Sequence, residues 1–118
     1  VRKRGTHRFM LPGGKVEQGE THLAAIVREV SEEISLDLDP ASITLLGTWS
    51  AGAANEPGLV ISSDVFTAPL PGAPAASGEI EELRWLPVDP TTDYAADATL
   101  SPMLVEHVLP ALVARLDG

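Results

Sequence analysis

A glycine pair followed by an amphipathic acidic stretch constrains this chain more than any other feature. Residues Gly14 through Leu36 read GKVEQGETHLAAIVREVSEEISL. Placed on a helix from Thr21 to Ile34, at roughly 100° per residue, Leu23, Val27, Val30 and Ile34 form one apolar stripe. That stripe is expected to face a core. Glu29, Glu32 and Glu33 gather on another side, with Glu29 and Glu33 as i,i+4 neighbours and Arg28 beside Glu32. Gly13 and Gly14 allow a sharp turn and a close approach that side chains would block. A carbonyl freed in that turn is available to an ion held by the carboxylates.

An acidic helix face is ordinarily just solvated. Here, however, Leu36 and Asp37 stand where a relieving lysine would follow Glu32 and Glu33. A hard divalent cation removes the repulsion, and oxygen ligands suit magnesium or manganese.

The order of residues resembles the Nudix box, G-x5-E-x7-R-E-U-x-E-E-x-G-U, with U a bulky aliphatic residue. Gly14, Glu20, Arg28, Glu29, Val30, Glu32, Glu33 and Leu36 fit, and Leu11-Pro12-Gly13-Gly14 is similar to the usual lead-in. Ser35 stands where the family has its second glycine. The resemblance implies a Nudix hydrolase, which attacks a diphosphate linkage with water using Mg²⁺ or Mn²⁺. It implies that Glu29, Glu32 and Glu33, with the Gly14 carbonyl, hold the metal. One of these glutamates, or one from a later loop, accepts the water's proton. Arg28 orients the carboxylates and Glu20 supports them. Ser35 has either to adopt the left-handed conformation, at roughly 1–2 kcal/mol for a non-glycine residue, or to end the helix differently.

The chain has 118 residues, enough for one domain with one core. No apolar run approaches the roughly 20 residues that span a bilayer, and cysteine is absent, which excludes disulfides and thiolate metal sites. Cytoplasmic residence is the expectation. A net charge of −9 argues against a nucleic-acid-binding surface. Yet Arg2, Lys3, Arg4, Arg8 and Lys15 all lie near the glycine turn. They read either as a basic chain end or as groups that meet an anionic substrate, with Arg4 and Arg8 the better candidates.

Val1 to Arg4 reads as the end of a strand. Family members usually carry a full strand ahead of it, so the single domain, residues 1–118, is expected to lack its first N-terminal strand. Arg8 to Leu11 and Lys15 to Glu17 read as extended. Further strands are expected at Ile43–Ser50, Leu59–Ala68 and Glu82–Leu86, with a mobile loop over Pro69–Gly78. Ser101 and Pro102 open a last helix as N-cap and first residue. Pro110 should kink or split it. The fold expected from the resemblance is α/β, a Nudix-type α/β/α sandwich with a mixed β-sheet between helices.

Other candidates are weaker. Glu79, Glu81 and Glu82 read as solvated strand ends. The resemblance offers Glu79, beside the mobile loop, as an extra metal ligand or base. Asn55 and Glu56 stand in a turn that could also touch a nucleobase or sugar, and Tyr94 is a stacking candidate. His7, His22 and His107 lack metal-ligand spacing. The short chain and the missing markers point to a nucleoside triphosphate, oxidised ones included, cleaved to monophosphate and pyrophosphate. The post-box array of NADH-cleaving members is absent, and Gly52 occupies the place of the proline associated with ADP-ribose hydrolases. The alternative is a non-catalytic nucleotide-binding regulatory domain. A small-molecule diphosphate is the expected partner, and a homodimer is left open by the resemblance.

Overall fold

The computed structural model describes residues 1–116. Strand β1 covers Arg2–Lys3, helix α1 His22–Ile34, and strands β2, β3 and β4 Thr44–Gly52, Val60–Thr67 and Ile80–Glu82. A π-helical turn, Leu104–Val108, runs straight into helix α2, Leu109–Arg115. Single 3₁₀ turns lie at Pro40–Ser42 and Tyr94–Ala96. No helix among the described residues is long and apolar enough to cross a membrane.

The α/β class is as expected, but the strands divide into two antiparallel ladders. β2 and β3 form a hairpin, β1 pairs with β4, and a parallel bridge between Phe9 and Leu100 is isolated from both. The ladder expected over Glu82–Leu86 starts and ends earlier, at Ile80–Glu82. Arg84 instead turns to Asp97 and Thr99, at 2.7 and 3.0 Å, with its guanidinium 5.6 Å from the Phe9 ring centroid. Trp85 is left 71% exposed. Arg8–Leu11 and Lys15–Glu17 form no strand of their own.

The main core joins Phe9, Ala51, Val65, Leu100, Met103, Leu104, Val108 and Leu109. His107 stacks on Trp49, ring centroids 5.7 Å apart, and its Nε2 lies 3.1 Å from the Ser50 carbonyl, tying the last helix to β2. Ser101 caps that helix as expected, its Oγ accepting from the Leu104 N–H at 3.3 Å. Next to Pro110 the helix divides into the π-helical turn and α2. The Leu109 N–H reaches back to the Leu104 carbonyl in a widened π turn. Such a turn relieves the clash that a proline ring makes with the carbonyl one α-turn earlier.

Helix α1 begins one residue later than its pattern suggests, because Thr21 is the N-cap and accepts from the Ala24 N–H at 3.0 Å. His22 Nδ1 pairs with Asp64 on β3, which also accepts from Thr48 at 2.7 Å. Of the apolar stripe only Val30 is buried; Leu23, Val27 and Ile34 are half-buried. The helix stands off the hairpin across a cleft of about 530 Å³, lined by Ala25, Ile26, Val30 and Ile34 on one side and Ile61 and Val65 on the other.

Ser35 does take the left-handed conformation, with φ 58° and ψ 37°. The expected mobile loop is partly fixed by this helix end. Ser77 N–H donates to the Glu33 carbonyl and Ala75 N–H to that of Ile34, both at 3.0 Å. Ser77 Oγ donates to the Glu32 carbonyl at 2.6 Å and meets Ser35 Oγ at 3.1 Å. The terminal carbonyls of α1 are thus satisfied from outside the helix. Ser35→Gly relieves about 1 kcal/mol of strain and loses only an exposed hydroxyl contact. It should raise the melting temperature by a few degrees; a fall in a thermal melt contradicts this account.

Candidate active site

The glycine turn and the acidic helix meet through two carboxylates. Gly13 has φ +154°, a conformation that side chains rarely adopt, and this turns its N–H onto Glu33 Oε1 at 2.6 Å. Glu33 is only 6% exposed. Burial pushes its carboxyl above the usual range; the Gly13 bond counteracts that push, Glu29 adds to it, and Lys3 opposes it. Gly14 is needed for close approach: a Cβ there would lie 2.6 Å from Glu29 Oε1. The backbone of the turn therefore rests on the Glu29 carboxylate.

Arg28 organises the remainder. It forms a two-pronged pair with Glu20, Nε to Oε2 at 2.8 Å and Nη2 to Oε1 at 3.0 Å. Nη1 reaches Glu29 at 2.6 Å and Glu32 at 3.4 Å, and Nη2 also donates to the Lys15 carbonyl at 3.1 Å. Glu20 closes its own loop by accepting from the Glu17 N–H at 2.9 Å. The Arg28 contact, with that backbone bond, holds the Glu20 carboxyl down to about 2. The Arg28 guanidinium is correspondingly more basic than usual, through its bonds to Glu20 and Glu29.

The three helix glutamates do not converge as expected. Glu33 is buried on Gly13, Glu29 is held between Gly14 and Arg28, and the side chain of Glu32 is 58% exposed. Among the described residues no group of three acidic, histidine or cysteine side chains stands ready to hold a metal. Glu33 has turned to the Gly13 N–H, while Glu29 and Glu32 share Arg28 Nη1, an arrangement that keeps the buried carboxylate apart from the other two. The donor set still suits a hard cation: all oxygen, one carboxylate buried without a bound counter-charge, and a glycine whose missing side chain leaves the carboxylates open to the turn.

The other sequence candidates divide. Glu79 immediately precedes β4; its carbonyl accepts from Arg4 N–H at 2.8 Å and its carboxylate lies 3.9 Å from Lys3 Nζ. The Arg4 guanidinium pairs with Glu81 at 3.4 Å, as Arg2 pairs with Glu82 at 3.2 Å, so these cations meet the second acidic group across β1 and β4. Asn55 is a clamp, its Oδ1 accepting from the N–H groups of His7 and Arg8 at 3.3 and 3.1 Å. That bond fixes Arg8 through its backbone. Glu56 is exposed in a turn whose carbonyl accepts from Leu59 N–H at 3.2 Å. The Tyr94 hydroxyl donates to the Pro87 carbonyl and accepts from Asp89 N–H at 2.9 Å, and its ring packs on the core. Lys3 was not singled out within the basic segment; the ladder register that separates it from Arg2 and Arg4 depends on a partner strand far along the chain.

A glycine turn seated on carboxylates of the next helix defines a candidate cation and phosphate site on an α/β domain. The family model for the NUDIX domain matches residues 1–104, and the chain belongs to that family. It is also 48% identical over 54 residues to the ADP-ribose pyrophosphatase of Methanocaldococcus jannaschii, a match covering 46% of this chain and 31% of that protein. The match therefore spans about a third of that relative's length. No solved structure matches.

Two outcomes follow from this geometry. Gly14→Ala must push the Glu29 carboxylate off its seat, and Mn²⁺ affinity measured by calorimetry should fall on the order of tenfold; unchanged affinity would separate Gly14 from the site. Glu20 has a folded-state value of about 2 against an ordinary 4.5. Its contribution to stability is therefore present above pH 4.5 and lost as pH falls toward 2. Glu20→Gln should flatten that part of the melting-temperature profile, and an unaltered acid limb would count against the Arg28–Glu20 pair.

Proposed function

We propose that this chain is a divalent-metal-dependent pyrophosphohydrolase that cleaves the diphosphate linkage of a nucleoside diphosphate derivative. The observation that carries the reading is the contact of the glycine turn with two helix carboxylates: Glu33 on the Gly13 N–H, and Glu29 where a Gly14 side chain would sit. Membership of the NUDIX family supports it.

In this reading Glu29, Glu32, Glu33 and the Gly14 carbonyl hold Mg²⁺ or Mn²⁺. When bound, the metal supplies a more acidic water and neutralises charge on the phosphoryl oxygens. Arg28 keeps Glu29 aimed at the turn, and Glu20 keeps Arg28 in place. Glu32, the most exposed of the three, is free to swing in as the site fills. Glu79, at the head of β4, accepts the attacking water's proton or adds a ligand. Phosphoryl chemistry asks the protein mainly for positioning and charge, which this arrangement provides. Arg8, its backbone held by Asn55, is the favoured cation on the substrate side, with Asn55 and Glu56 in the adjoining turn; the Arg4 guanidinium and the Tyr94 hydroxyl already have partners and rank behind it.

The absence of other subfamily markers favours nucleoside triphosphates, oxidised ones included. A second substrate, ADP-ribose, is favoured by the likeness to the archaeal protein of that name. A panel of both, with products weighed by mass spectrometry, decides between them. Glu33→Gln should lower turnover on the order of a hundredfold or more, and Glu79→Gln at least about tenfold. Near-normal turnover in Glu79→Gln removes that residue from the chemistry. Nucleotide binding without metal-dependent turnover on any member of the panel would instead favour a regulatory domain.

A further inference from the structure

Lys3 differs from Arg2 and Arg4 on either side of it. Arg2 and Arg4 are spent on Glu82 and Glu81. Lys3 lies across the ladder from Ile80, which is 4% exposed, so its stem starts on the inner face of the β1–β4 pair. It borders the same cleft as Gly13 and Gly14. Its ammonium is 3.9 Å from the Glu79 carboxylate, beyond hydrogen-bond length. Its charge also acts on the buried Glu33. One flexible cation thus stands between a carboxylate of α1 and a carboxylate at the head of β4, held tightly by neither.

We propose that Lys3 is a substrate-binding residue whose ammonium grips a non-bridging oxygen of the substrate's diphosphate at the mouth of this cleft. The proposal rests on the pyrophosphohydrolase reading above. A diphosphate at the Gly13-Gly14 turn, which rests on Glu33 and Glu29, meets like-charge repulsion. Metal offsets part of it at the carboxylates, and the phosphoryl oxygens pointing away from them still need a positive partner. Lysine suits that task as a compact charge on a long stem. A loose pair at the protein surface is worth little, so the ammonium gives up little when it turns to phosphate. Arg28 cannot serve, since Glu20, Glu29 and the Lys15 carbonyl occupy its donors.

The test compares Lys3→Met and Lys3→Arg with the unaltered chain, using inorganic pyrophosphate with Ca²⁺ as the calorimetric probe and thermal melts alongside. Pyrophosphate affinity should fall on the order of tenfold in Lys3→Met and be largely kept in Lys3→Arg. For the nucleotide cleaved best, KM should rise by a similar factor while kcat changes little. Melting temperatures should stay close together. Equal pyrophosphate affinity in Lys3→Met overturns the proposal, as does an unaltered chain that fails to bind the probe. A purely structural lysine would lower the melting temperature and leave both affinity and KM alone. Absence of turnover across the substrate panel sinks the hydrolase reading by itself, and the pyrophosphate affinities still decide on Lys3.

Discussion

The guanidinium of Arg28 holds the site together. It grips Glu20 with two donors, Glu29 with a third, and the backbone of the glycine loop at Lys15. The loop and the helix are thereby one unit, although nearly all the side chains involved carry negative charge. An arginine can do this because its donors lie in a planar fork and its charge persists at any relevant pH. A lysine would satisfy one carboxylate and leave the others to repel. The position of Glu29 against Gly14, on which the proposed chemistry depends, is thus maintained from behind, by a residue that need not touch substrate.

The far end of α1 is held by a different device with the same consequence. Ser35 turns the chain left-handed, and the loop before β4 folds back to cap the exposed carbonyls of Glu32, Glu33 and Ile34. Gly78 passes so close that a Cβ would sit 3.1 Å from the Glu32 carbonyl. Glu79 follows directly, and β4 then pairs with β1, which carries Lys3. Capping a helix, an otherwise local requirement, here sets the distance between the helix carboxylates and the charged groups of the second ladder. Serine at position 35 accordingly carries strain where glycine would not, with Ser77 as its partner.

Much of this was legible in the sequence because it is written in short-range signals. The fixed spacing of Gly14, Glu20, Arg28, Glu29, Glu32 and Glu33 located the helix and its partners, and Ser101-Pro102 located the start of the last helix. The two long strands were legible as β-rich runs on either side of Asn55-Glu56-Pro57-Gly58, though their pairing as a hairpin was not stated by them. What was illegible depends on residues far apart in the chain. Arg2 finds Glu82, Arg4 finds Glu81 and Asn55 finds the backbone of Arg8 only after the ladders form. The one-residue irregularity between Arg2 and Lys3 in the β1–β4 register, which sends Arg2 and Lys3 to different partners, has no local signature. Pro110 signalled a break in the last helix, but not its form: a widened turn just before it relieves the conflict with the α-turn.

The charge pattern argues for where the cation must go. Glu20 and Arg28 largely cancel, and Glu81 and Glu82 are matched by Arg4 and Arg2. Glu32, Glu33 and Glu79, with part of Glu29, are less fully matched, and Lys3 is only loosely paired with the last of the three. Glu33 bears the largest burden, being buried with a backbone N–H as its nearest donor. A fold has no structural need for such an arrangement, since a neutral side chain at 33 would accept the same bond without the desolvation cost. The surplus is concentrated where the backbone is bare of side chains, at Gly13 and Gly14. In the proposed reading, negative charge kept at an unobstructed turn is what draws a divalent ion there, and the ion in turn is what would make the same turn hospitable to a diphosphate.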